Sequence, residues 1–173
     1  MPYLARSVNS GKWSDLLEGL VSADAIVSDL KAHANELSFW YCESLSSECV
    51  EQMALAYTAA GTGVKPLDII LIEQDEFVKE GIEICDEINP LLPPTPIESL
   101  QHLHRNLKNL DIKKLCWLAN KISSLPNMQM ISHDRLKELI KKAIDDSTVN
   151  KYSLAPGIRI DCKMEKRGRF CPY

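Results

Sequence analysis

No hydrophobic run in the chain approaches the roughly 18 to 20 residues that a membrane-spanning helix needs. The opening stretch MPYLARSVNSGKW also lacks the apolar core of a signal peptide. These two absences argue against a membrane partner and make the cytoplasm the expected compartment. The six cysteines (Cys42, Cys49, Cys85, Cys116, Cys162 and Cys171) include no C-x2-C pair, which disfavours a structural zinc site. Scattered as they are, several among apolar neighbours, they read as small core residues rather than a disulfide framework. A strong charge of one sign is missing as well. With a net charge of −4 and a pI near 5.6, the chain carries no global reason to meet nucleic acid. Internal repeats and low-complexity segments are absent. The glycine pair Gly61 and Gly63 follows a helical stretch rather than a strand, the reverse of a phosphate-binding loop, and no cofactor is expected.

What is present is architecture. Between Leu37 and Glu73, LSFWYC and LDIILIE are near-continuous apolar runs on either side of an amphipathic stretch, about Ser47 to Ala60. That order reads as a βαβ unit. Both alternating sets of each strand are apolar, with Leu37, Phe39 and Tyr41 opposed to Trp40 and Cys42, and Leu67, Ile69 and Leu71 opposed to Ile70 and Ile72. Strands of this kind are buried on both faces, as parallel strands usually are. The expected fold class is therefore α/β or α+β, with a small, mostly parallel or mixed sheet. At 173 residues the chain has room for one real core, and its size and style suggest a bacterial-type domain.

Around this unit the signals are weaker. Tyr3, Ala5 and Ser7 alternate faintly, as in a short strand. Trp13, Leu16, Leu17, Leu20 and Val21 have helical spacing, and Ser22 is placed to cap a following helix with Ala23, Ile26, Val27 and Leu30 on one face. After Glu73, a two-turn helix ended by Gly81 and followed by a strand at Ile82–Ile84 competes with one longer helix through Ile88. The proline-rich stretch NPLLPPTP marks a boundary, dividing an α/β part (1–89) and a connector (90–96) from a helical part (97–173) packed on the first as one unit. Three helices are expected beyond it. The first has Thr95 as its cap and Ile97, Leu100, Leu103, Leu107 and Leu110 inward; the second is capped by Asp111, with Ile112, Leu115, Cys116, Ala119 and Ile122 inward; the third is capped by Ser132. Finally, Ile158, Ile160, Cys162 and Met164 alternate with charged residues, as in an edge strand over 158–165 through which a homodimer could pair.

Chemistry is harder to find. Between Asp68 and Glu98 lie nine carboxylates against the single Lys79, and the densest group, Glu73, Asp75 and Glu76, falls just past the second apolar strand. Open parallel sheets place ligands beyond that end of their strands. Three readings compete for these residues: a solvated helix face favoured by the dipole, an acidic surface for a basic protein partner, and a metal-holding or acid–base set. Cys42, at the end of the first strand and just before a helix, is a candidate nucleophile, with the simpler reading of a buried structural cysteine beside it. His102 and His104 are two apart and diverge on a helix. The basic tail from Arg159 to Arg169 suggests a nucleic-acid wing, but the 124–132 connection is too long for a helix-turn-helix turn and the third helix is of mixed charge.

The expected function is a non-catalytic protein-interaction module of accessory, regulatory or immunity type, with Glu73, Asp75 and Glu76 meeting a basic partner. The alternatives are a metal-dependent hydrolase or phosphoryl-transfer enzyme using the same carboxylates, and a nucleic-acid binder acting through the tail.

Overall fold

The faint alternation at the N-terminus marks the middle of the sheet. In the computed structural model, which describes residues 1–14, 22–32, 35–86, 94–124 and 128–163, Tyr3–Val8 forms strand β1. It pairs on one side with β2 (Leu37–Cys42) and on the other with β3 (Leu67–Glu73). Both pairings are antiparallel. The two apolar strands therefore run parallel to each other, joined by helix α3 (Ser47–Ala60) as the sequence suggests, yet are never hydrogen-bonded neighbours. This is a split βαβ unit. Three short strands complete the sheet: β4 (Glu83–Cys85), β5 (His104–Lys108) and β6 (Gln129–Ile131), in the order β4-β5-β2-β1-β3-β6. Every pairing is antiparallel, which corrects the expectation of a mostly parallel sheet. Apolar character on both faces of β2 and β3 reports two-sided cover, and that cover does not require parallel neighbours.

Both faces are covered. On one, α3 packs with α6 (His133–Asp145), α7 (Pro156–Asp161) and a 3₁₀ turn (Glu98–Leu103) around Trp40, Cys42, Met53, Ile69, Leu136, Ile140 and Ile158. On the other, α1 (Ser10–Ser14), α2 (Ala23–Asp29), α4 (Gln74–Lys79) and α5 (Ile112–Ser123) surround Leu4, Phe39, Ile70, Ile72, Phe77, Leu107 and Leu118. The division follows the pleat, with Leu37 and Phe39 on the second face and Trp40 and Cys42 on the first. Strands from both sides of the proline-rich stretch enter the one sheet, β1 to β4 before it and β5 and β6 after. No helix among the described residues is long and apolar enough to cross a membrane.

Caps place the longer helices where the sequence does. Ser46 Oγ accepts from Cys49 N, Asp111 Oδ1 from Lys114 N at 2.9 Å, and Ser132 Oγ from Arg135 N at 3.2 Å. Gly81, at φ +66°, ends α4 in the left-handed region and lets the chain turn into β4. Elsewhere periodicity misleads. The first expected C-terminal helix is a 3₁₀ turn followed by β5: Ile97 and Leu100 enter one core and Leu107 the other, so a spacing that fits a helical stripe serves both faces of a sheet. Thr95 is not its cap: Thr95 Oγ1 accepts from Ile97 N at 3.4 Å ahead of the turn, whose cap residue is Ile97 and which has no side-chain capping bond.

The expected terminal strand is helix α7 over its described part. Pro156 sits in its first turn, and Ile158 and Cys162, four residues apart, share the buried side, so the strand on which a homodimer was to pair is not there. Residues 164 and beyond, including most of the basic tail and Cys171, lie outside the described residues. So do Leu16, Leu17, Leu20, Val21 and residues 87–93, which include 90–93 of the connector. Two inward faces are also rotated from expectation. Ala25 and Leu30 are buried in α2 while Val27 is 70% exposed, and Leu118 takes the inward place in α5 while Ile112 is 76% exposed. Ser22 precedes α2 without a side-chain capping bond.

Candidate functional site

β2 and β3 both end beside the start of β1: Tyr3 is paired with Cys42 on one side and Glu73 on the other. The two positions singled out by the sequence thus reach the same end of the sheet, one strand apart on each side of Tyr3, a backbone separation of roughly 10 Å at the usual strand spacing. The side chains do not converge. Cys42 belongs to the α3 face and is buried. Glu73 immediately precedes α4 and makes no side-chain capping bond, while Asp75 is exposed in the first turn of α4. Glu76 is drawn to α5, where Lys121 Nζ lies 2.5 Å from its Oε2. One carboxylate is paired, one faces solvent and one stands at a strand end. Among the described residues no group of three or more His, Cys, Asp or Glu is arranged to hold a metal ion.

The acidic character continues past α4. Glu80 and Glu83 are exposed on the turn and on β4, Asp86 follows, and Val78 is exposed between them. Glu83 is positioned, because Asn109 Nδ2 donates to its Oε2 at 2.6 Å and the Cys85 thiol donates to its Oε1 at 3.3 Å. β4 pairs with β5 on one side only and forms an edge of the described sheet. Asp75, Glu80, Glu83 and Asp86 are thus exposed along α4, the turn after it and β4.

Cys42 is a poor nucleophile. Its thiol donates to the Cys49 carbonyl at 3.7 Å, and burial, with the neighbouring Cys49 thiol adding to it, pushes its pKa up to about 12. A group with that pKa is protonated at neutral pH. The ionisable thiol of this corner is Cys49, a residue with no place in the sequence argument. It sits in the first turn of α3, where the hydroxyls of Ser46 and Ser44 pull its pKa below the ordinary value. The run Ser44-Leu45-Ser46-Ser47-Glu48-Cys49 carried that signal, since a serine cap three residues before a cysteine puts the thiol beside a hydroxyl and a helix start.

His104 meets the Trp40 ring edge-on at 5.3 Å between centroids, and burial, with Arg105 adding to it, lowers its pKa, so it is neutral at physiological pH. It is a packed flank residue. The two helices considered for helix-turn-helix lie on opposite faces of the sheet, α5 in one core and α6 in the other, with β6 between them in sequence, so they cannot form that motif.

A cleft at the other end of the sheet went unnoticed in the sequence. It opens where β1 ends, β3 begins and α3 stops, and has a volume of about 330 Å³. Close to it lies Arg6, a charged residue on the central strand. Its guanidinium is held over the Phe39 ring at 5.6 Å, donates through Nε to the Asp29 carbonyl at 2.8 Å and bonds the Ser38 carbonyl through Nη1. Desolvation lowers its pKa, opposed by Tyr57 and Asp29 nearby. Comparison of the chain with protein-family models, with curated proteins and with solved structures returned no match, so the functional reading rests on these side chains alone.

Proposed function

We propose that the protein is a non-catalytic interaction module that receives a basic protein segment on the α4–β4 edge. The observation that supports this reading is the exposure of Asp75, Glu80, Glu83 and Asp86 along α4, the turn after it and β4, at an edge of the described sheet. Carboxylates so placed select a partner rich in Lys and Arg and speed its approach, more than they add affinity. Glu76 is committed to Lys121 and serves the fold. Asp75, Glu80 and Glu83 are therefore the residues that meet the partner.

The test is fluorescence anisotropy with a labelled oligolysine peptide, run at low and high salt. At up to about 0.5 kcal/mol for each exposed charge, the variant combining Asp75→Asn, Glu80→Gln and Glu83→Gln binds about tenfold more weakly. A control of equal net charge, Asp134→Asn with Asp145→Asn and Asp146→Asn, leaves binding unchanged. Equal weakening by both variants would mean that only net charge matters, and the reading would fall.

A further inference from the structure

We propose that Cys49 and Cys42 form a redox modification site at the β2–α3 corner, where hydrogen peroxide oxidises Cys49 and Cys42 then closes a disulfide onto it. The two residues come from different elements and meet. Cys42 is the last residue of β2, and its thiol donates to the Cys49 carbonyl at 3.7 Å. Cys49 lies in the first turn of α3, its Sγ 3.6 Å from Ser44 Oγ. Their surroundings differ. Cys42 is 1% exposed and belongs to the core, whereas Cys49 is partly exposed and packs against the edge of that core. A thiol-based sensor needs this division: an accessible, ionisable thiol to meet the oxidant, beside a sheltered one that meets the oxidised neighbour.

Cys49 fits the first part. The Ser46 and Ser44 hydroxyls stabilise its thiolate, and so does its place in the first turn of a 14-residue helix. Cys42 fits the second. Burial keeps its thiol protonated and away from the oxidant, and the neighbouring Cys49 adds to that. Oxidation turns Cys49 into a neutral sulfenic acid and removes this second cause. Proximity supplies the rest, since a group held against its target acts at a high effective concentration.

In the first step the Cys49 thiolate attacks the peroxide: an S–O bond forms, the O–O bond breaks, and the departing hydroxide takes up the proton that the thiol released. In the second, the Cys42 sulfur attacks the sulfenic sulfur. An S–S bond forms, the S–O bond breaks, and the leaving hydroxide takes the Cys42 proton and departs as water. Two thiols and one hydrogen peroxide thus give one disulfide and two waters, with two electrons passing from sulfur to the peroxide. The corner can accommodate the bond. Every residue from Glu43 to Glu48 is exposed, so no packed side chain fixes the turn between the two cysteines. Cys49 gives up its bonds to Ser44 and Ser46 as its side chain swings towards β2. A disulfide holds its Cα atoms roughly 4.4–6.8 Å apart, so the first turn of α3 becomes tied to the end of β2.

The experiment treats the full reduced chain with a small excess of hydrogen peroxide, blocks the remaining thiols with iodoacetamide, and digests after glutamate without reduction. The expected product joins fragment 37–43, which carries Cys42, to fragment 49–51, which carries Cys49, and dithiothreitol separates them. It forms while the exposed Cys116 is still open to alkylation. In Cys42→Ala the linked product is lost and dimedone traps Cys49 as the sulfenic acid. In Cys49→Ser, a change at a partly exposed position, both products are lost and Cys42 stays reduced. Should Cys42→Ala fail to fold, the natural chain and Cys49→Ser still decide. Four results would overturn the proposal: Cys49 passing to sulfinic acid in the natural chain without the linked pair, Cys49 joined to a different cysteine, Cys116 oxidised while Cys49 stays reduced, or Cys42 oxidised in Cys49→Ser as fast as in the natural chain.

Discussion

The two faces of the sheet are covered by different means. On the α3 face, helices of 14 and 13 residues lie against each other, and α3 presents Ala54, Ala56 and Ala59 to the core. Small side chains let long elements approach closely, and the contact is clamped at its rim by Arg135, which donates to both oxygens of Glu51 at 2.7 and 2.8 Å. On the other face α2 and α4 are short, with 7 and 6 residues. Elements of that length do not hold helical form alone. Aromatic rings anchor them: Phe77 stands edge-on to Phe39 at 5.5 Å and to Trp117 at 5.6 Å, and Trp13 is buried. Short helices here depend on large side chains, and long helices on close backbone approach.

That difference can be broken most directly at Phe77. The ring is fully buried and joins α4, α5 and β2, so Phe77→Ala is expected to cost about 3–5 kcal/mol in urea unfolding. The α4–β4 hairpin should also lose hydrogen-exchange protection first. Loss spread evenly over both faces would contradict the anchoring role.

The matching change on the α3 face is Gly157→Ala. A Cβ there would stand 2.1 Å from the Thr62 carbonyl oxygen, so α7 or the loop must move. Overpacking of this kind costs about 1–3 kcal/mol, and its mark is a shift of the amides of 61–64 in the variant's spectrum.

Smaller still is the rim clamp. Arg135 holds the Glu51 carboxyl below its ordinary value of 4.5. A carboxyl depressed in the folded state stabilises the fold above the unfolded value and loses that contribution as the pH falls through its lower folded value. The melting temperature of Glu51→Gln should thus lie slightly below that of the natural chain at pH 7, and the two should converge under acid conditions. A gap that widened on acidification would refute the clamp.

The last prediction changes no stability. With the fold intact, iodoacetamide followed by peptide mapping should label Cys49 well before Cys42, because the first is lowered by serine hydroxyls and the second is raised by burial. Faster labelling of Cys42 would reverse the assignment within this corner.

Much of this was legible in the residues. The caps Asp111 and Ser132, the apolar doubling of LSFWYC and LDIILIE, and Gly81 after a two-turn helix each point to the structure that forms. Of the candidate site, the run of carboxylates between Asp68 and Glu98 was legible as composition. Its division into a paired Glu76 and an exposed Asp75 was not, because Lys121 lies 45 positions away in the chain. The choice between Cys42 and Cys49 likewise turns on burial, a property of the folded chain.

What the chain determined by itself is local: where α3, α5 and α6 begin, which residues of β2 and β3 face which way, and that both faces of those strands are covered. Capping bonds and pleat alternation act within a few residues and can be read in order. Only the tertiary structure decided that Tyr3–Val8 inserts between the two apolar strands, that His104–Lys108 becomes a strand and Pro156–Asp161 a helix, and that a cleft opens where β1 ends and β3 begins. Those outcomes depend on hydrogen bonds and packing between segments distant in sequence, and in Leu107 and Ile158 the same apolar spacing satisfied either geometry until a neighbour in space selected one.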